Sequence, residues 1–296
     1  RVPADKFVFF QLLDENGMMV QSMRSGTMVQ PGETTGCVGC HDGRLTAPPP
    51  TTHPAPIASQ RPANDLEGWY GPARLFGYRK EVQPVFDRAC IRCHDFGTKG
   101  SKKVNLAGDR TETFNVSYNE LWRRKLIKGV GAGPATVQQA YSWGSHQSRL
   151  VATLRKGHNG VKLTSEDLDR IVTWIDINAP YYPSYASAYP GNPGGRCPLP
   201  PRDLNRLGKL IGIDFRGLMN HHRNQGPMVS FDRPEESPAL KKLPNPQSPE
   251  YKEAIAIIRA GAKTLTERPR AEGPPTTFCS LDQTRDGKYV GRQKVE

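Results

Sequence analysis

The sequence is poor in apolar residues and contains no long apolar run. Only 36% of its 296 residues are hydrophobic and 8% are aromatic, and no stretch approaches the roughly 20 apolar residues that a membrane-spanning helix needs. We therefore expect no transmembrane segment. The chain is instead rich in glycine and proline, with 29 and 27 residues, which predicts a large share of loop.

Acidic residues are also in the minority. Against 41 Lys and Arg there are 29 Asp and Glu, for a formal net charge of +12. Such a charge favours an acidic partner, an anionic surface or nucleic acid. The basic residues are scattered among acids, however, with no long basic block and no recognisable nucleic-acid-binding module, so the pattern argues against nucleic acid.

Cysteine is scarce, yet four of the six cysteines lie in two copies of one pentapeptide, C-x-x-C-H. Two thiols three residues apart lie on one side of a helical turn, where they can form thioethers with the two vinyl groups of a haem. The following histidine can then bind the iron, so the pattern is typical of c-type haem attachment. The motif residues are Cys37, Cys40 and His41 in the first copy and Cys90, Cys93 and His94 in the second. Two copies predict two haem c groups.

Two other interpretations of the cysteine pairs are open. Four thiolates can bind one zinc ion, although a zinc site does not require a histidine directly after each pair. A redox-active C-x-x-C belongs beside a βαβ pattern, and neither copy is flanked by one.

Covalent attachment of haem also predicts the cellular location of the protein. Thioether attachment takes place outside the cytoplasmic membrane, so we expect a periplasmic or extracellular protein. In an oxidising compartment the remaining cysteines, Cys197 and Cys279, can form a disulfide or stay as free thiols.

The first 62 residues predict a small haem domain that contains a β-hairpin. Two apolar runs, residues 7–13 and 18–23, flank Asn16 and Gly17, a pair typical of a type I′ turn. Methionines in and after the hairpin are candidate iron ligands, but methionine at such spacing more often fills gaps in a core. They are Met18, Met19, Met23 and Met28. The first haem motif follows, and a proline-rich linker extends from there to Pro62.

Residues 63–190 predict an α-helical cytochrome c-like domain. A short amphipathic helix leads into Cys90, and three further helices are indicated by capping residues. We expect the tyrosine-rich segment 181–189 to be a surface loop anchored by its tyrosines, with a haem edge or an interface as the alternatives. The apolar positions of the first helix are Val82, Val85, Phe86 and Ala89; the later helices begin near Ser117, Ser148 and Thr164, and the first of these three runs to about Lys128.

Residues 191–296 predict a loop-rich extension that packs on the haem domains and contains two helices. Leucines at positions 204, 207 and 210 indicate the first helix. Ser248 and Pro249 begin the second, and Gly261 is expected to end it. The predicted fold class is therefore mixed, mainly α with loops, with one small β-hairpin.

Histidines elsewhere in the chain are candidates for the sixth iron ligand. His158 follows Gly157 in a loop between two helices that must pack around a haem, so we expect it to bind the second iron opposite His94. His146, a methionine or an open position are the alternatives. For the first haem the candidates are His53, His221, His222, a methionine or an open position.

Several stretches together resemble the haem-bearing C-terminal half of the hydrazine synthase α-subunit family. The resemblance covers most of residues 1–182 and fades beyond them. The similar stretches are residues 9–17, 21–25, 29–33 and 37–41 in the first unit, and residues 157–159 and 174–181 in the second. In combination they are far more specific than C-x-x-C-H alone.

The resemblance implies a middle domain with one haem and a cytochrome c-like domain with a second, whose iron His94 and a distal histidine at His158 would bind. It also implies a β-propeller on the N-terminal side of these two domains. In that family a tyrosine four residues after the first motif histidine binds iron, and that histidine helps to hold zinc. In this sequence Leu45 occupies the tyrosine position, and leucine cannot bind iron, so hydrazine chemistry is not implied.

Three functions fit these patterns. The one we favour is a dihaem c-type cytochrome that transfers single electrons between redox partner proteins, since an iron with two histidine ligands has no position for substrate. The second is a redox enzyme subunit whose first haem keeps an open position for a small nitrogen or oxygen species. The third is a structural haem protein. In each case other subunits of a larger complex are further candidate partners.

Overall fold

The structure is a computed structural model that describes residues 1–34, 60–131, 138–215 and 226–272. Its described part is mixed and mainly α-helical with an antiparallel pair of strands, as predicted. The strands are β1 (Gln11–Leu13) and β2 (Met19–Ser22), and the helices are α1 (Tyr78–Glu81), α2 (Gln83–Ala89), α3 (Ile91–His94), α4 (Val116–Arg123), α5 (Arg149–Lys156), α6 (Ser165–Asp176), α7 (Pro201–Ile211) and α8 (Pro249–Glu267). Short 3-10 helices cover Gly100–Lys102, Ser145–Gln147, Pro193–Gly195, Pro234–Glu236 and Pro238–Lys242. Among the described residues, no helix is both long and apolar enough to cross a membrane.

The N-terminal hairpin is closed by Asp14 and Gly17. The Asp14 carboxylate accepts hydrogen bonds of 2.9 Å from the backbone N–H groups of Asn16 and Met18. Gly17 has a positive φ of 72°, but Asn16 does not, whereas a type I′ turn needs positive φ at both central residues. The predicted hairpin is confirmed and the predicted turn type is wrong, because the aspartate side chain holds a wider turn that ends on the left-handed glycine.

Helices α1 to α6 surround the first hydrophobic core. The predicted capping box of α6 is confirmed: the Thr164 hydroxyl accepts from the Asp167 N–H, and the Asp167 carboxylate accepts from the Thr164 N–H, both at 3.1 Å. Met18 from the hairpin is buried in the same core. The core includes Tyr78, Val82, Val85, Phe86, Leu106, Leu121, Leu150, Val151, Ile171, Val172, Trp174 and Ile175. The hairpin and the helices therefore bury their apolar side chains together.

Helix α4 begins earlier than the sequence predicts. Asn115 caps it, because its side chain accepts a 3.0 Å hydrogen bond from the Tyr118 N–H. Ser117, the predicted cap, is buried and forms a 2.8 Å hydrogen bond with the Tyr78 hydroxyl instead. The helix ends at Arg123 rather than near residue 128, and Lys125 takes a left-handed φ of 53° just beyond it.

Helices α7 and α8 pack in a second hydrophobic core. The predicted start of α8 is confirmed, since the Ser248 side chain accepts from the Tyr251 N–H at 3.1 Å. The predicted end at Gly261 is wrong, because α8 continues to Glu267. A Cβ at Gly261 would lie 2.3 Å from the Phe231 ring. Glycine here serves close packing of an aromatic ring on the helix, and not helix termination.

The tyrosine-rich segment connects the two cores. Tyr181 and Tyr189 are buried and Tyr185 is fully exposed, which agrees with the predicted surface loop anchored by tyrosines. The Tyr181 hydroxyl donates to the Glu272 carboxylate at 3.0 Å, and Arg79 donates to the other oxygen of that carboxylate at 2.7 Å. These rings are buried by contacts with residues that are distant in the sequence, such as Glu272. The domain boundaries expected at residues 62 and 190 stay predictions.

Candidate haem site

The second C-x-x-C-H motif lies on a helical turn at the end of α2. The backbone N–H groups of Cys93 and His94 donate to the Cys90 carbonyl at 3.1 and 3.0 Å, and α3 carries Cys93 and His94. Cys90 is half-buried beside the first core and Cys93 is exposed. The helical backbone thus places the two thiols on one side of the turn, which is the arrangement that two thioether bonds to one porphyrin edge require.

His94 is oriented by its own loop. Its Nδ1 lies 3.0 Å from the Val104 carbonyl oxygen, and a carbonyl accepts only, so Nδ1 carries the proton and Nε2 presents its lone pair. The loop returns tightly because Leu106 N–H donates to the His94 carbonyl at 2.7 Å. A Cβ on Gly100 would lie 2.1 Å from the Cys93 carbonyl oxygen, so this approach requires glycine. A carbonyl partner of this kind is typical of metal-binding histidine.

The structure brings the His158 ring close to the His94 ring. His158 follows Gly157, which ends α5 with a φ of 89°. The two imidazole ring centroids are 5.9 Å apart, and the ring planes are tilted by 32°. The His158 Nε2 also lies 3.4 Å from the side-chain nitrogen of Asn159. Two imidazole nitrogens that bind one metal ion at about 2 Å each place the ring centroids roughly 6 Å apart, so the spacing of the pair suits two ligands of one ion.

An open cleft of about 560 Å³ adjoins His158. Such a volume is in the usual range for a cofactor site. Four apolar side chains line the cleft, together with the basic Arg155 and Lys162 and the hydroxyl groups of Thr164 and Ser165. The apolar members are Leu154, Val161, Leu163 and Leu168. Residues of the second motif are not part of this lining, so the cleft describes the surroundings of His158 alone.

The described donors suit a haem, whereas the four-thiolate zinc alternative includes Cys37 and Cys40, which lie outside the described residues. A structural zinc ion takes four protein ligands, whereas a haem iron needs only two, because the porphyrin supplies the others. Burial raises the pKa of the Cys90 thiol to about 11, so this sulfur is in surroundings that favour an uncharged group, as a thioether is. Within the described ranges, no group of three or more His, Cys, Asp or Glu side chains is arranged to hold a metal ion. Haem ligation by His94 and His158 stays a prediction that these contacts support.

The alternative ligand His146 lies elsewhere. Its Nε2 is 3.1 Å from the Asp14 carboxylate of the hairpin, and its ring is edge-on to Tyr141 at 4.9 Å. Met18 and Met19 are buried in packing contacts, which agrees with the interpretation of these methionines as core residues. The structure therefore separates His146 from the pair at His94 and His158.

Several candidate residues lie outside the described part of the chain. They are Cys37, Cys40 and His41 of the first motif, Leu45, and the candidate ligands His53, His221 and His222. Cys279 also lies outside it, whereas Cys197 is buried, and burial raises the pKa of its thiol to about 12. The first haem, its sixth ligand and the disulfide stay predictions.

One residue near the site has no local signal in the sequence. Arg233, from the C-terminal extension, donates two hydrogen bonds to Asp95, the residue that follows His94. The two residues are 138 positions apart. No spacing rule connects a loop arginine to an aspartate at such a separation, so sequence patterns could not identify this contact.

Comparison with known proteins relates the chain to one family of enzyme subunits. Residues 1–42, which include the first C-x-x-C-H, match the family model described as the hydrazine synthase alpha subunit middle domain. The chain is also 22% identical, over 257 residues, to hydrazine synthase subunit alpha of Kuenenia stuttgartiensis, a match that covers 60% of this chain and 31% of that protein. The chain thus corresponds to about a third of the length of that relative. No solved structure matches it. Both matches support the expected similarity to the hydrazine synthase α-subunit family.

Proposed function

We propose that this chain is the haem-bearing part of a redox enzyme subunit, and that the haem attached at Cys90 and Cys93 transfers electrons rather than binding substrate. The observation that carries the second statement is the pair of imidazoles at His94 and His158, 5.9 Å apart. If both imidazoles bound one haem iron, no position on that iron would remain for a substrate.

The chain's own residues account for that role. When bound, a haem supplies an iron that alternates between ferrous and ferric states. The Val104 carbonyl accepts the Nδ1 proton of His94 and fixes the orientation of its ring, so this histidine would present its Nε2 to a haem iron. A ligand that is held in one orientation would favour rapid gain and loss of one electron.

The comparisons favour the enzyme subunit over the free-standing electron carrier that the sequence patterns placed first. Both matches carry the name of an enzyme subunit, and a small nitrogen or oxygen species at an open first haem is the chemistry we propose. Leu45 replaces the ligating tyrosine that the family resemblance implies, so we propose a first haem whose iron differs in ligation from that family. A stand-alone dihaem carrier is the second candidate, because saturation of the second iron suits it equally.

The surface beside the two histidines suits an acidic redox partner. Across residues 90–104 and 149–163 the sequence has a single acid, Asp95, and Asp95 is paired with Arg233. Basic side chains in these stretches are exposed: Arg92, Lys99, Lys102, Lys103, Arg155, Lys156 and Lys162. A patch of one sign steers a partner of opposite charge and raises the rate of encounter. We propose a periplasmic or extracellular location for this exchange, with other subunits of a complex as partners.

Optical and EPR spectra of the purified protein, with pyridine haemochrome quantitation, test the proposal. We expect two haem c groups, one low spin with two histidine ligands and one that binds carbon monoxide when ferrous. Two low-spin haems that both fail to bind carbon monoxide would favour the stand-alone carrier instead. A protein without covalent haem would overturn both candidate functions and would favour zinc binding by the cysteine pairs.

A further inference from the structure

We infer that Arg233 of the C-terminal extension is a positioning residue for the second haem. It raises the reduction potential of that haem, because it neutralises the negative charge of Asp95 and fixes the loop that follows His94. This inference rests on the proposed haem ligation by His94 and His158. We call residues 95–104 the proximal loop, because they lead from His94 to Val104, whose carbonyl holds the His94 ring.

Arg233 binds two carboxylates at once. Its Nη1 and Nη2 donate to the two oxygens of Asp95 at 2.9 and 2.6 Å. Its Nε and Nη2 donate to the two oxygens of Asp109 at 2.8 and 2.6 Å. The guanidinium carbon lies 5.0 Å from the centre of the Phe96 ring. Bidentate pairs of this kind fix geometry as well as charge.

The extension holds Arg233 in place from its own side. The Arg233 N–H donates to the Ser230 hydroxyl at 2.9 Å, and that hydroxyl donates to Asp109 at 2.7 Å. Ser230 and Phe231 are buried, and Phe231 belongs to the second core. The packed part of the extension therefore fixes the backbone of Arg233, and the side chain extends to Asp95, the residue after the haem motif.

The proximal loop connects the contact between Arg233 and Asp95 with the proposed iron ligand, His94. Asp95 is bonded to His94 in the chain, and the Thr98 hydroxyl holds the start of the loop, because its oxygen lies 2.6 and 2.8 Å from the Cys93 and Asp95 carbonyl oxygens and its single proton is shared between them. The end of the loop supplies the Val104 carbonyl. The position of Asp95 therefore affects the orientation of the His94 ring. Residues that orient a metal ligand in this way change the properties of the metal.

The charges give the direction of the effect. Hydrogen bonds to Asp109 and Asp95 raise the pKa of Arg233 above its already high value, so the side chain is a cation at every physiological pH. Without it, two carboxylates beside the haem motif would be uncompensated. Negative charge stabilises the ferric state relative to the ferrous state, so the potential should fall.

The matched experiment compares Arg233→Gln with Arg259→Gln. Arg259 is in the same extension, and its ion pair with Glu235 is exposed on both sides. We expect Arg233→Gln to keep a low-spin spectrum while the ferrous to ferric ratio at a fixed potential falls about tenfold, a shift of about 59 mV by spectroelectrochemistry. Arg259→Gln should leave the potential unchanged, and Arg233→Lys should restore part of the shift, because it returns the charge without the bidentate geometry.

A folded Arg233→Gln protein with the wild-type potential would overturn the inference. If that variant fails to fold, Asp95→Asn answers the same question, because it removes one negative charge and leaves Arg233 bonded to Asp109. Its potential should rise, and an unchanged value would overturn the inference. A wild-type protein whose second haem is not low spin with two histidines would refute the proposed ligation instead, so the two failures are distinguishable.

Discussion

The backbone N–H of Met19 donates a 3.0 Å hydrogen bond to the carboxylate of Asp176, which joins strand β2 to the last turn of α6. The same carboxylate accepts from the Ser145 N–H at 2.6 Å and from the Ser145 hydroxyl at 2.8 Å. One buried side chain thus connects the N-terminal hairpin with α6 and with the segment that precedes α5. The hairpin and the first hydrophobic core are parts of one packed structure at this point.

Removal of the Asp176 carboxylate should loosen that connection. Asp176→Ala leaves three buried donors without an acceptor, each costing about 1–3 kcal/mol, so we expect the free energy of unfolding to fall by about 3 kcal/mol or more. Urea denaturation measures this change. The control is Asp65→Ala, which removes an exposed ion pair with Arg1 and should alter stability by less than about 0.5 kcal/mol. Equal stability of the two variants would contradict the assigned role.

Loss of the His158 imidazole should open the second iron. We expect His158→Ala to convert the second haem from low to high spin and to let that haem, in addition to the first, bind carbon monoxide when ferrous, as optical and EPR spectra would record. Added imidazole should restore the low-spin spectrum. His146→Ala is the matched control, because that ring lies against Asp14 and should leave both haems unchanged. A low-spin spectrum in the His158 variant without added imidazole would refute the ligation.

The buried carboxyl of Glu112 should make stability depend on pH. Neither of its carboxylate oxygens has a hydrogen-bond partner among the described residues, and burial raises its pKa from the usual 4.5 to about 7. The folded state then binds more protons than the unfolded state between these two values, so the free energy of unfolding falls as pH rises through that window. Glu112→Gln should remove this slope, so the free energy of unfolding of the variant should increase relative to that of the wild type as pH rises from 6 to 8.

Chemical denaturation at pH 4.5, 6 and 8 would check the Glu112 prediction. Glu67→Gln serves as the control, because Glu67 is exposed and its replacement should leave the pH profile as it is in the wild type. Parallel profiles for Glu112→Gln and the wild type would show that the carboxyl does not titrate as expected.

The basic surface beside His158 should govern the choice of redox partner. We expect ferricyanide, an anion, to oxidise the ferrous protein faster at low than at high ionic strength, and a cationic ruthenium hexaammine complex to react with the opposite salt dependence. Reversing charge in Lys156→Glu/Lys162→Glu should slow the anionic reagent severalfold. Lys252→Glu, an exposed change on α8, should have little effect. Identical rates for both variants would exclude steering by this surface.

Features that depend on neighbours in the chain could be predicted from the sequence. The capping box of α6 needs only Thr164 and Asp167, and the end of α5 needs only Gly157, so both were predictable from residues within one turn. The haem motif at Cys90 belongs to the same class, since three residues on one turn define it. The cap of α4 was missed because both Asn115 and Ser117 can cap a helix, and the Tyr78 hydroxyl decided between them.

Other features depended on packing between distant segments. Gly261 is typical of a helix stop, but Phe231 packs on it and the helix continues. The tyrosines at 181 and 189 were expected to anchor their loop, and only the fold shows that one enters each hydrophobic core. Arg233 carries no signal for its contact with Asp95, because charge pairing across 138 positions depends only on how the chain folds.

The sequence by itself determined the chemistry: two pairs of thiols, each with a following histidine, and a loop histidine available to the second pair. Only the tertiary structure decided that His158, and not His146, faces His94. The physical reason is that the chemical type of a ligand is a property of one side chain, whereas its distance from a partner depends on the packing of every helix between them.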